Sequence, residues 1–221
     1  LASRLDQLKR PVIIYIGGAP GTGKSMLATS LATRLGINKV ISTDSIREIM
    51  RLAFSNDLLP TLFHSTTEAW KGLPMEFQSS EQLIAGYCLQ ANQVSLGVRA
   101  VVERTVEEGE NLIVEGAHLV PFLHEIAKKE MVDAYHIPIT LSIMNEKHHR
   151  ERFSERGTKN LRKIENFYLE RFDGIRSIHE YTLTQCETDE VEVFDNEDLD
   201  ETLNLIIQFS IQRLFKQVNS E

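Results

Sequence analysis

Five short apolar runs punctuate the chain, and stretches of helical periodicity separate them. The first, Val12-Ile13-Ile14-Tyr15-Ile16, is continuous, mostly β-branched and bounded by Pro11 and Gly17. Unbroken apolarity marks a strand covered on both faces, so this run is expected to be the central strand of a parallel sheet. From Lys24 onward Met26, Leu27, Leu31 and Leu35 recur at helical spacing, and Gly36 stands where a helix C-cap belongs. Residues 39–42 read as a second strand, followed by a helix beginning right after Asp44, with Ser45 and Glu48 at capping-box spacing.

Between about 54 and 80 the pattern breaks into short pieces around Pro60 and Pro74, which predicts a helical insertion where an acceptor pocket would sit. Periodicity returns as a long helix over 81–108 closed by Gly109, a third strand at 111–116 and a helix around 120–129. A fourth strand spans 136–144, with its regular part expected at 139–144 because Pro138 interrupts it. The fifth strand is 191–194, and an amphipathic helix closes the chain from 199 to about 215. Strands separated by helices imply right-handed crossovers, so the expected fold is α/β with a five-stranded parallel sheet. All 221 residues form one expected domain with its core at 10–221.

The turn out of the first strand carries the most specific chemistry. Gly18-Ala19-Pro20-Gly21-Thr22-Gly23-Lys24-Ser25 has the spacing G-x-x-x-x-G-K-S between a strand and a helix, as a triphosphate-binding P-loop requires. Glycines let successive amides converge on a β-phosphate, and the following helix adds partial positive charge. Lys24 would bridge the β- and γ-phosphates and the Ser25 hydroxyl would ligate Mg²⁺, making ATP and Mg²⁺ the expected cofactors.

Ligands gather at the carboxyl ends of parallel strands, where Asp44, Glu115 and Asn196 stand. Asp44 leaves the second strand, read as the neighbour facing the γ-phosphate. There its carboxylate could hold a metal-bound water or accept a hydroxyl proton, and it could equally cap the helix. Arg47 lies one turn further on the same face and could reach an anion held there. Glu115 ends its apolar strand as a metal-site acid would. Thr61, Trp70 and Arg99, with His64, complete the candidate acceptor-binding set, although a lone aromatic more often belongs to a core.

The formal charge of -8 argues against a nucleic-acid or acidic-membrane binder, so an anionic substrate must meet a local basic cluster. Residues 147–163 supply one: seven Lys/Arg against two Glu give about +5, leaving about -13 on the rest. A cationic flap on an acidic body suits a phosphoryl-transfer lid over about 145–163, which must neutralise migrating charge while excluding water. Arg152 and Arg156, four apart, share a helix face there. His148 and His149 are adjacent and so on different faces, and both are read as surface residues. Cys88 and Cys186 lack metal-ligand spacing, and no apolar run suggests export or membrane insertion, so a cytoplasmic setting is expected. The chain opens on Leu1 rather than Met, as it would if an N-terminal segment had been trimmed or left out.

With these residues laid out, the chain resembles the P-loop small-molecule kinases, and more narrowly the archaeal 2-phosphoglycerate kinases. The resemblance rests on the phosphate loop, Val40-Ile41-Ser42-Thr43-Asp44-Ser45-Ile46-Arg47-Glu48, Leu59-Pro60-Thr61-Leu62 with Glu68-Ala69-Trp70-Lys71, Ile113-Val114-Glu115-Gly116 and Phe172-Asp173-Gly174-Ile175-Arg176-Ser177-Ile178-His179-Glu180-Tyr181. It implies a nucleoside monophosphate kinase-like fold and transfer of a phosphoryl group from ATP to the free hydroxyl of 2-phosphoglycerate. It also implies that Arg152 covers adenine, Arg156 meets the phosphates and Asn196 belongs to the base-binding loop. Members often carry an N-terminal regulatory nucleotide-binding domain that is not among these 221 residues. Two alternatives stay open: a kinase for another small acceptor, such as a sugar acid or nucleotide sugar, and a nucleotide-dependent regulatory module without an acceptor. The partners expected are a nucleotide and a small anionic substrate; a homo-oligomer is compatible with this reading.

Overall fold

The computed structural model describes residue 5 and residues 8–74, 79–123, 133–154 and 162–219. Its centre is β1 (Val12–Gly17), every residue of which is buried. Val12, Ile14 and Ile16 face one side of the sheet, where they pack with Leu27, Leu31, Leu203 and Ile206. Ile13 and Tyr15 face the other, among Ile46, Met50, Val94, Val98 and Val102. Two-sided burial is why the strand reads as unbroken apolarity, and each such side chain contributes about 1.5–3 kcal/mol.

The elements that follow are α1 (Lys24–Leu35), β2 (Lys39–Ser42) and α2 (Thr43–Ala53), then short 3-10 turns at Pro60–Phe63 and Thr66–Gly72. Next come α3 (Ser79–Glu107), β3 (Leu112–Glu115), a 3-10 turn at Ala117–Phe122 and β4 (Tyr135–Ser142). The chain continues with α4 (Glu146–Ser154), α5 (Arg162–Glu170), α6 (Phe172–Asp189), β5 (Glu192–Asp195) and α7 (Leu199–Asn219). The sheet is parallel with order β2-β3-β1-β4-β5.

Four local expectations are corrected. The fourth strand runs unbroken through Pro138. The Tyr135 N–H goes to Pro11 on the β1 side and the His136 N–H to Gln217 on the other, so by alternation Pro138 turns toward β5. Pairing with β5 begins only at Ile139, and the missing N–H breaks no ladder bond. The N-cap of α2 is Ser42, whose hydroxyl accepts the Ser45 N–H at 3.1 Å, rather than the Ser45/Glu48 box. β2 is an edge strand with β3 between it and β1, so it does not neighbour the phosphate loop's strand. In place of a helix from 120 the chain forms the 3-10 turn Ala117–Phe122, and residues 124–129 of that expected helix lie outside the described residues.

Candidate active site

The phosphate loop is shaped by its glycines and then fixed from outside by side chains. Gly21 and Gly23 have φ of 86° and 89°, a conformation that side chains resist, and a Cβ on Gly21 would run into the Phe153 ring. Three of the loop's carbonyls, those of Ala19, Pro20 and Thr22, accept side-chain hydrogen bonds. Lys24 Nζ and Thr22 Oγ1 donate to Ala19 at 2.7 and 3.0 Å, and Asn196 Nδ2 donates to Thr22 at 2.8 Å. His149 donates from Nε2 to the Pro20 carbonyl at 2.8 Å. With these three carbonyls turned onto protein, the loop offers its amides and the start of α1 to an anion.

Ser25, the second residue of α1, donates to Glu115 Oε1 at 2.9 Å. Glu115 sits at the end of β3, directly beside β1, and is only 6% exposed. A hydroxyl and a carboxylate at this distance are the hard oxygen donors Mg²⁺ prefers when nucleotide phosphates supply the rest of its shell.

Opposite the loop, α2 presents Asp44 and Arg47, and the insertion presents Ser65, Thr66 and Thr67. Together with Lys24, Ser25 and Glu115 they line a cleft of about 230 Å³, walled by Phe153, Phe167 and Tyr168. Phe153 stacks on Tyr168 with ring centres 5.0 Å apart. Asp44 is exposed at 67%, whereas Arg47 is 14% exposed, and the Arg47 Nε to Asp44 Oδ1 distance is 3.7 Å. Arg47 is anchored by Nη1, which donates to the carbonyls of Leu62 and His64 at 3.1 and 2.8 Å. Its Nε is buried and makes no hydrogen bond, facing only the Asp44 carboxylate, while its Nη2 donates to Glu48 at 2.9 Å.

The structure therefore brings together Lys24, Ser25, Glu115, Asp44 and Arg47. It does not bring in the remaining acceptor-side candidates. Thr61 is fully buried and donates to Gln93 at 2.5 Å. Trp70 lies off the cleft with Lys71 over its ring, and Arg99 is exposed on α3 and is not among the cleft-lining residues. Arg152 donates to the carbonyls of Asn196 and Glu197, so with Asn196 it braces the loop after β5 against Gly23. Arg156 lies outside the described residues.

Two residues of this region have roles that the sequence did not reveal. His149, expected on the surface, is fully buried on α4. Its Nε2–H points at Pro20 and its Nδ1 accepts from Arg176 at 3.3 Å, which fixes the neutral tautomer. Burial pushes its pKa down to about 4, and the charges of Arg176, Lys24 and Arg152 push the same way against the Pro20 hydrogen bond. Its neighbour His148 is the exposed one, 2.6 Å from Glu197. Glu68, at the insertion's second turn, meets Arg171 at 3.1 Å and Lys71 at 2.6 Å. Those hydrogen bonds, Arg171's first, hold its carboxyl down at about 2 and tie the insertion to the segment between α5 and α6.

A parallel five-stranded sheet with this loop, a Ser25–Glu115 pair and a polar cleft across from them defines a P-loop phosphoryl-transfer domain. Comparison with known proteins narrows the class. A sequence model of the AAA domain matches residues 14–173. The 2-phosphoglycerate kinase of Methanopyrus kandleri is 37% identical over 216 residues, covering 96% of this chain and 64% of its own. The enzyme of that name from Methanocaldococcus jannaschii is 38% identical over 213 residues, covering 96% and 67%. The one from Pyrococcus furiosus is 40% identical over 206 residues, covering 93% and 66%. The chain belongs to the 2-phosphoglycerate kinase family, and it spans about two thirds of the length of the curated relatives it matches.

Among solved structures, shikimate kinase from Acinetobacter baumannii in complex with shikimate superimposes with a TM-score of 0.54 at 11% identity, covering 96% of this chain and 98% of that one. A gluconokinase from Sinorhizobium meliloti gives 0.54 at 13% identity, covering 95% and 99%. At such identities the likeness concerns the fold alone. No helix among the described residues is long and apolar enough to cross a membrane.

Proposed function

We propose that this protein transfers the γ-phosphoryl group of ATP to the free hydroxyl of 2-phosphoglycerate, giving 2,3-bisphosphoglycerate and ADP. The carrying observation is the cleft itself, with Lys24 and Ser25 on one wall and Asp44, Arg47 and the hydroxyls of 65–67 on the other. A phosphorylated hydroxy acid presents a carboxylate and a phosphate, which Arg47 and the three hydroxyls can hold by charge-assisted hydrogen bonds. The acceptor oxygen forms the new bond to phosphorus as the bond from the γ-phosphorus to the bridging oxygen breaks. The hydroxyl proton passes to the Asp44 carboxylate.

Lys24 follows the charge moving from the γ-phosphate onto the leaving ADP, and it must exchange its Ala19 carbonyl for phosphate oxygen when nucleotide binds. Ser25 and Glu115 would hold Mg²⁺, which when bound neutralises charge on the phosphates. Arg152 and Asn196 sit at the far side of Gly23, where the nucleotide's base end extends in this reading. The setting is the cytoplasm, where ATP is made and free thiols such as Cys88 and Cys186 persist.

A coupled ADP-release assay with ATP and Mg²⁺ tests the proposal. ADP is expected only when 2-phosphoglycerate is added, and equal release with and without it would contradict transfer. In the same assay sugar acids and nucleotide sugars are expected to be poor substitutes; a better rate with one of them would reassign the acceptor while keeping the chemistry.

A further inference from the structure

Behind the acceptor wall lies a buried chain of side-chain hydrogen bonds that no step above uses. His118, on the 3-10 turn after β3, is 1% exposed. Its Nδ1 is 2.9 Å from Thr43 Oγ1 and its Nε2 is 3.1 Å from Gln90 Oε1. The Gln90 amide nitrogen donates to the carbonyls of Thr61 at 2.5 Å and His64 at 3.0 Å, so the Gln90 oxygen is the accepting end. His118 must therefore carry its hydrogen on Nε2, leaving Nδ1 to accept the Thr43 hydroxyl. The order of donation is Thr43 to His118 to Gln90 to the backbone of the insertion, with every donor matched to an acceptor.

Both ends of the chain meet the acceptor machinery. Thr43 immediately precedes Asp44 in the first turn of α2. The His64 carbonyl that receives Gln90 also receives Arg47. Gly116 permits the close approach, since its φ is 153° and a Cβ there would overlap the Thr43 hydroxyl. Burial holds the His118 pKa near 4, against the pull of Asp44 and helped by Arg47 and Lys24, so the imidazole stays neutral as the wiring requires.

We infer that His118 is a positioning residue that sets Asp44 and Arg47 in one geometry by linking Thr43 to Gln90 and the insertion's backbone. The inference rests on the kinase reading above. Misplacing a reacting group by an ångström costs about a hundredfold in rate, whereas nucleotide binding across the cleft is untouched by this wiring. The decisive pair is Thr43→Val, which keeps shape and loses the hydroxyl, and Thr43→Ser, which keeps the hydroxyl. In Thr43→Val, kcat/KM for 2-phosphoglycerate should fall about ten- to a hundredfold while the ADP dissociation constant by calorimetry stays within about twofold. Thr43→Ser should recover most of the loss. Equal loss of ADP affinity, wild-type kinetics in Thr43→Val, or a serine variant as poor as the valine one would overturn the inference.

The ¹⁵N spectrum of histidine-labelled wild-type protein provides a test that needs neither acceptor nor variant. The His118 signals should show a protonated Nε2 and a bare Nδ1, and the opposite tautomer would break the chain of donation. Wild-type protein inert toward 2-phosphoglycerate would instead contradict the proposed function, and the spectrum would still decide the wiring.

Discussion

At the scale of single residues the site depends on a few groups whose roles can be separated by kinetics. Lys24 is 8% exposed and rests on the Ala19 carbonyl of its own loop, so removing it vacates the one loop cation without opening a core void. Lys24→Ala should lower kcat by about 10²–10³ or more, as for other lost transition-state charge contacts, with an unchanged melting curve. Near wild-type turnover would take the phosphate site away from this loop. Asp44→Asn keeps shape and removes the proton acceptor; its kcat should fall at least about tenfold more than its ADP affinity, by parallel kinetics and calorimetry. A wild-type kcat would remove Asp44 from proton transfer.

Lys24, Ser25 and Glu115 were legible in the sequence because fixed spacing and a strand terminus tie each to the loop. His149 was not, because a histidine beside another histidine in a charged helix carries no mark of burial. What buries it is Pro20, 129 residues away, together with Phe153 and Phe172. His118 was equally silent, since its meaning lies in Gln90 and Thr43 rather than in its neighbours.

At the scale of elements, apolar periodicity located all five strands and the long helix within a few residues. It could not order the strands. Nothing in 39–42 says that β3 will lie between β2 and β1, because that depends on which crossover passes over which strand. Pro138 misled because the rule against proline in a strand holds only where a neighbour needs its N–H, and β5 starts one residue too late to need it. The lone Ser42 hydroxyl sets the first turn of α2, and with it the place of Asp44. Ser42→Ala should cost about 1 kcal/mol of stability, read as a lower urea midpoint with unchanged slope, and should raise KM for the acceptor more than for ATP. An unchanged midpoint would assign the cap elsewhere.

At the scale of the whole molecule, three buried histidines among the described residues are kept neutral by burial: His118, His149 and His179, each with its pKa near 4. In the unfolded chain they would titrate near 6.5. Depressed folded values mean that their contribution is complete above about 6.5 and is lost as pH falls toward 4, where the unfolded state binds protons the native state refuses. Glu68, held at about 2, adds its own loss only below about 4.5. The melting temperature should drop steadily between pH 6.5 and 4, and less steeply in His179→Gln. A flat profile over that window would contradict the neutral buried assignment.

His149 bonds the phosphate loop at Pro20 with the His179 ring against its own, and His118 bonds Thr43 beside Asp44. In the proposed reading, the carboxyl edge of the sheet holds a phosphate donor site and an acceptor site on the two walls of one cleft. Phosphorus-31 spectroscopy of the protein with ATP, Mg²⁺ and 2-phosphoglycerate follows the atom that must cross it. The γ-phosphorus resonance should disappear into a second phosphate ester on the glycerate, in step with ADP; its appearance only as inorganic phosphate, with 2-phosphoglycerate unchanged, would contradict the account.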